Sequence, residues 1–306
     1  MRLRSWIGVL CAFAIVTPAA RAQVQLEWKL KEGDRFYLEV ESTFKQTLEV
    51  AGKDTSNKIE QNLTKTIVLQ FYVEKKNTDG SYLIKETVEG MKVQGAGGPE
   101  VKDEKIQGAS FTLTLDLKGE VVKVEDYDQV VKKLSADDPK VAKIVKALVS
   151  EDLLKKSAKE LFSFLPNKQV KEGDEPWGKG KKIPMPLGPF GSYDLTNTYK
   201  YEGKGKDKQK DFEKITFTTT AEYSPPKDDA GLEFKVTKGE LKIENAKGTI
   251  YFDAAAGRLV SYEMSLELTG SLTLTNNGVP LETKIKEQKQ SIKAALTLDN
   301  PLTRTK

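Results

Sequence analysis

The chain has 306 residues, 31% of them charged and 38% hydrophobic, with one cysteine and no histidine. Its formal charge is +4, but Arg2, Arg4 and Arg21 lie in a leader; without them 46 basic residues face 45 acidic ones, a net of +1. The absence of histidine excludes a Ser-His-Asp triad and imidazole ligation of zinc or copper, and the near-neutral balance excludes the basic footprint of a nucleic-acid binder.

Residues 1–22 have the three parts of a secretory signal peptide: Arg2 and Arg4, an apolar run from Trp6 to Val16, and the small-residue site Ala20-Arg21-Ala22. The apolar run is too short to span a bilayer. Cys11 lies inside that run, behind Val9-Leu10, and does not fit a lipid-attachment site. Cleavage is expected between Ala22 and Gln23, giving an exported protein, periplasmic or secreted, soluble and free of cysteine. No later stretch approaches the roughly 20 apolar residues of a membrane helix, so no transmembrane anchor is expected after cleavage. Intact-mass measurement of exported protein should show Gln23 as the first residue; a retained, lipid-bearing Cys11 would contradict this.

From 23 to 125 the pattern is period-two alternation. Phe36, Leu38, Val40, Phe44, Leu48 and Val50 fall on one phase, as do Ile59, Leu63, Ile67, Leu69, Phe71 and Val73, then Phe111, Leu113, Leu115 and Leu117. Such strands bury one face and wet the other, as antiparallel sheets do, and their length predicts a large curved or barrel-like sheet. From 126 to 166 the spacing becomes helical. Asp138-Pro139 reads as a cap followed by proline at the first helical position, with Val141, Ile144, Val145 and Leu148 on one face. Ser150-Glu151-Asp152 starts a further helix carrying Leu153, Leu154, Leu161 and Phe162, and Pro166 ends it. The expectation is two or three short helices whose apolar stripe lies on a sheet.

Residues 167–300 return to alternation, in Tyr262, Met264, Leu266 and Leu268 and again in Ile292, Ala294, Leu296 and Leu298, before a short tail at 301–306. Lys31-Glu32-Gly33-Asp34 opens the first β half and Lys171-Glu172-Gly173-Asp174 the second. Gly119 and Gly257 follow at 85 and 83 positions after the two aspartates. The matched spacing suggests two duplicated halves; generic turn chemistry is the alternative. The fold class expected is α+β, mostly β.

Trp28-Lys29-Leu30-Lys31-Glu32-Gly33-Asp34, then Leu165-Pro166, Gly173-Asp174 and Trp177, and the hairpin from Gly248 to Gly257, resemble an uncharacterised family of exported bacterial β-rich proteins. That resemblance implies an exported domain of unknown function and supplies no catalytic residues.

No cofactor and no metal site is expected, and neither is an enzyme. The catalytic alternative is a carboxylate-based hydrolase of the glycosidase kind, which needs two placed acids. Asp116, Glu125, Asp126, Asp253 and Glu263 are candidates, with Asp116 and Asp253 better explained as turn residues. The segment Ile183-Pro184-Met185-Pro186-Leu187-Gly188-Pro189-Phe190-Gly191 reads as a stiff apolar loop, and Met185, Leu187 and Phe190 are its candidate contacts to a ligand or partner. The function expected is an exported binding protein holding an apolar small molecule such as a lipid in the concave face of the sheet. The alternative is an envelope protein that engages another macromolecule.

Overall fold

The computed structural model describes residues 23–51, 56–95, 101–102, 104–186, 190–226, 234–276 and 279–303; residues 1–22 and Leu187 lie outside these. The alternating segments form β1 (Arg35–Ala51), β2 (Ser56–Lys76), β3 (Tyr82–Gly95), β4 (Val101–Lys102), β5 (Ser110–Leu115) and β6 (Val121–Glu125). After the helices α1 (Tyr127–Ser135), α2 (Pro139–Leu148) and α3 (Glu151–Phe162) come β7 (Lys182–Pro186), β8 (Ser192–Asp207), β9 (Lys210–Ser224), β10 (Phe234–Asp253), β11 (Arg258–Asn276) and β12 (Val279–Thr297). A 3-10 turn covers Pro301–Thr303.

All these strands belong to one antiparallel sheet in the order β6-β5-β3-β2-β1-β12-β11-β10-β9-β8-β7, with β4 paired to β3. The chain starts at the centre with β1, steps outward to β6, crosses through the helices to the far edge at β7, and steps back. The last strand, β12, closes the path by pairing with the first, from Tyr37 opposite Thr297 to Ala51 opposite Glu282. Both halves are thus meanders stepping the same way across a single sheet. Their opening turns share one hydrogen-bond pattern. The Asp34 carboxylate accepts from Lys31 N at 2.7 Å, and that of Asp174 from Lys171 N at 2.9 Å, each turn having its glycine at positive φ.

Alternation in the sequence becomes continuous rows across the sheet. Met91, Ile67, Val40, Ala294, Tyr262, Ile250, Ile215 and Tyr201 lie directly opposite one another on eight successive strands, all on one face. The outer face carries the other phase, with Glu39, Glu41 and Lys45 on β1 alone.

The helical segment, through α3, turns this sheet into a curled one. Asp138 caps α2 by accepting from Lys140 N and Val141 N, and Ser150 caps α3 by accepting from Leu153 N. α3 packs against both edge strands, β6 and β7, so the sheet bends around it and stays open, with no β6–β7 pairing among the described residues. Phe162, at the end of α3, is fully buried against Trp28 and Phe71 (centroids 5.2 and 5.8 Å). Trp28 and Trp177 donate their indole N–H groups to the carbonyls of Phe162 and Phe164 at 2.8 and 2.9 Å, satisfying acceptors that a helix end leaves free. Gly119 turns the chain between β5 and β6 at φ 76°, and a Cβ there would stand 2.5 Å from the Phe162 carbonyl oxygen.

Two expectations are corrected. The apolar stripe lies inward on α1 (Val130, Val131) and α3 (Ala158, Phe162), but α2 buries no residue and leaves Val141, Ile144 and Leu148 exposed. Periodicity identifies an apolar face without saying what meets it, and α2 packs on α1 rather than on the sheet. The Pro-rich segment, expected as a loop, is strand β7 over Lys182–Pro186, with Pro184 opposite Asp194. An edge strand tolerates proline because the missing N–H has no ladder partner to lose.

Candidate functional site

The face wrapped around α3 changes character along the strands. Near the start of β1, the second half of β8 and the start of β9 it is tightly packed: Phe36, Leu38, Phe71, Leu113, Ile215 and Phe252 are all buried in one cluster with Phe162. Further along β1, β2, β3, β11 and β12 the same face continues apolar but only half covered, in Val40, Phe44, Ile67, Met91, Met264 and Ile292. Leu63, opposite Phe44, is 37% exposed. A second cluster forms at the far end of β7–β12 from Tyr193, Leu241, Leu268 and Ile285. Between the two clusters lies a half-covered, largely apolar concave surface, in which Val40 and Met264 pack against the edge of the first cluster and Ser42, Gln46 and Gln290 interleave with the apolar side chains.

An aromatic row runs through the first cluster beside this surface. Trp177, Tyr199, Phe217 and Tyr262 follow one another with centroids 5.8, 5.7 and 5.4 Å apart. The row is possible because Gly248, opposite Phe217, has no side chain; a Cβ there would stand 2.4 Å from the Phe217 ring. Beside it the Asn197 amide N–H donates to Glu160 at 2.9 Å and its carbonyl accepts from Thr219 at 2.7 Å. The other Glu160 oxygen is buried without a partner among the described residues. Burial, aided by Glu120 and opposed by Lys159, Lys181 and Asn197, pushes this carboxyl up to about 7. The hydroxyl of Tyr262 is raised as well, chiefly by burial and then by Tyr199 and Glu160.

Where the two sheet edges approach α3, a pocket of about 350 Å³ opens, lined among others by Glu160, Trp177, Lys181, Ile183, Asn197 and Tyr199. Glu120, in the β5–β6 turn, clasps the seam: its carboxylate pairs with Lys159 on α3 and, at 2.9 Å, with Lys181 ahead of β7. Burial works against the Glu120 charge, but the two ammonium groups outweigh it and hold the carboxyl below its usual range.

A second inward acid stands apart. Glu86 on β3 lies opposite Phe71 on β2 and Phe111 on β5, with Ile84 and Val88 beside it in the same phase. It has no hydrogen bond or ion pair among the described residues, and burial alone pushes its carboxyl up to about 8.

The residues singled out from sequence fare differently. Met185 is half-buried against the second cluster, away from Phe36 and Phe71 in the first. Phe190 is half-buried, and its carbonyl accepts from the Tyr223 hydroxyl at 2.7 Å. Leu187 lies outside the described residues. Asp116 accepts from Lys118 N and Glu120 N, and Asp253 from Ala256 N, so both are turn residues. Glu125 pairs with Lys123, Asp126 accepts from Gln129, and Glu263 lies on the outer face, in the phase opposite to Tyr262 and Met264. Sequence reasoning missed Glu160 among 45 acids. The signal for Glu86 was present: an acid in the apolar phase of Ile84, Glu86 and Val88.

The class this geometry defines is an open, curled antiparallel sheet around a helical plug, with an apolar concave surface. The sequence matches the Family of unknown function (DUF6263) over residues 102–277, and the chain belongs to that family. Among curated proteins none matches it. Solved structures similar to it include lipovitellin, described for its lipid–protein interactions, at 10% identity and a TM-score of 0.43, covering 90% of this chain and 27% of that one. An outer membrane channel from Pseudomonas putida F1 has 10% identity and a TM-score of 0.21, covering 92% and 100%. DynF from the dynemicin biosynthesis pathway of Micromonospora chersina has 10% identity and a TM-score of 0.20, covering 94% and 92%.

Proposed function

We propose that this is an exported, non-enzymatic protein that holds an apolar ligand, such as the acyl chains of a lipid, against the concave face. The observation that carries the reading is the half-covered apolar surface of Val40, Phe44, Ile67, Met91, Met264 and Ile292, on the face that is tightly packed next to it around Phe162. Apolar surface left contiguous and uncovered usually marks a binding surface. The leader at 1–22 supports export, and among the described residues no helix is long and apolar enough to cross a membrane.

Native mass spectrometry of residues 23–306, purified without detergent, should reveal co-purified lipid, and the stripped protein should bind a fluorescent fatty acid. Ile67→Glu together with Met264→Glu should lower that binding at least tenfold while leaving the melting temperature within a few degrees, since both side chains are only half-buried. Absence of bound lipid together with no binding of the fatty acid would overturn the reading.

A further inference from the structure

We propose that α2 is a membrane-docking helix that lies flat on an anionic lipid surface. The helix Pro139–Leu148 presents Val141, Ile144 and Leu148 on one face, 39%, 46% and 44% exposed, and no residue of the helix is buried. At the 100° per residue of an α-helix, positions 141, 144 and 148 fall within about 60° of arc, while Ala142 and Val145 on the adjoining side are half-covered. The fold therefore spends the half-covered side of α2 on α1 and leaves the more apolar side facing outward.

The charge on this helix is one-sided. Lys140, Lys143 and Lys146 are its only ionisable residues. Lys140 borders the exposed apolar face about 40° from Ile144, Lys143 lies about 60° further round on the polar face, and Lys146 pairs with Asp128 of α1 at 3.3 Å. Of the acids next in sequence, Asp138 caps the helix, Asp137 pairs with Lys132 at 3.8 Å, and Glu151 and Asp152 sit in the first turn of α3, where Asp152 pairs with Lys156. An apolar face on a helix whose polar side carries only lysines matches a bilayer surface, where the apolar side chains enter the acyl boundary and the ammonium groups reach phosphate and other anionic headgroups. A protein partner would need acidic groups around an apolar patch, and a second copy of this chain would bring lysines against lysines. Charge complementarity thus favours anionic lipid. The helix lies outside the concave face, so docking stands or falls separately from ligand holding.

The test is co-flotation of residues 23–306 with vesicles of 70% phosphatidylcholine and 30% phosphatidylglycerol, beside pure phosphatidylcholine vesicles, in low salt and in 0.5 M NaCl. Binding is expected on the anionic vesicles only, reduced at least fivefold by the salt. Val141→Ser, Ile144→Ser and Leu148→Ser combined, and separately Lys140→Glu with Lys143→Glu, should each lower it at least tenfold. Circular dichroism at 222 nm and the melting curve establish that each variant is folded. In addition, Ile144→Trp, which keeps the face apolar, should shift its fluorescence to the blue on anionic vesicles. Failure to bind them, equal binding by the serine variant, or self-association that disappears in that variant would each overturn the proposal.

Discussion

Phe162→Ala is expected to lower stability by about 3–5 kcal/mol and to loosen both edges of the sheet together. Phe162 is fully buried, touches Trp28 and Phe71, and ends the helix that packs against β6 and β7. Truncation leaves a ring-sized cavity at the point where the edges depend on one another, and Trp28 loses a ring contact, while its indole hydrogen bond runs to the backbone carbonyl that alanine keeps. Gly119→Ala probes the same junction from the other side, because its Cβ would stand 2.5 Å from the Phe162 carbonyl oxygen on a backbone at φ 76°. Urea denaturation gives the loss of stability, and limited proteolysis should find new cuts near β6 and β7. A melting temperature unchanged in both variants would show that α3 does not hold the curl.

Stability should also fall as pH rises from about 5 to 8.5. Glu86 and Glu160 both have folded values raised above the ordinary 4.5, to about 8 and about 7. Between the ordinary value and the raised one the folded chain holds protons that the unfolded chain has released. Their contribution is therefore fully present below about 4.5 and is lost as pH passes the raised values. At about 1.4 kcal/mol for each tenfold change in proton affinity, the two together amount to several kcal/mol. The chain has no histidine, so no imidazole titration overlaps this window. Melting curves at pH 5 and pH 8.5 should differ for the parent protein. Glu86→Gln and Glu160→Gln should each flatten the profile and raise stability at pH 8.5, since an amide needs no proton to stay neutral. A profile already flat in the parent would refute the assignment.

Much of the fold was legible because strands with one wet face write their period into the sequence. The phase of Phe36, Leu38 and Val40 is the phase that faces the helices, and Asp138 and Ser150 cap the helices that their sequence context predicts. What stayed hidden depends on contacts made at long range. Nothing local distinguishes the stripe of α2, which faces outward, from those of α1 and α3, which face in. Glu160 becomes notable only when Asn197, 37 residues away, meets it. The aromatic row draws one ring from each of Trp177, Tyr199, Phe217 and Tyr262, and its spacing follows from strand register rather than from any spacing in the chain. Proline at 184 argued against a strand because the sequence does not say which strand will be outermost.

The pairing of β1 with β12 bears on how this protein reaches its native state. The strand that completes the middle of the sheet is the last to emerge from the ribosome or from an export channel, some 240 residues after its partner's register begins at Tyr37. Until then β1 presents a bare ladder edge from residue 37 to 51, long enough to recruit another nascent chain. Shortening β12 would accordingly not trim a margin but divide the sheet down its centre. Assembly of the whole sheet must wait until β12 is available, and whatever shields β1 during that interval bears on the yield of folded protein.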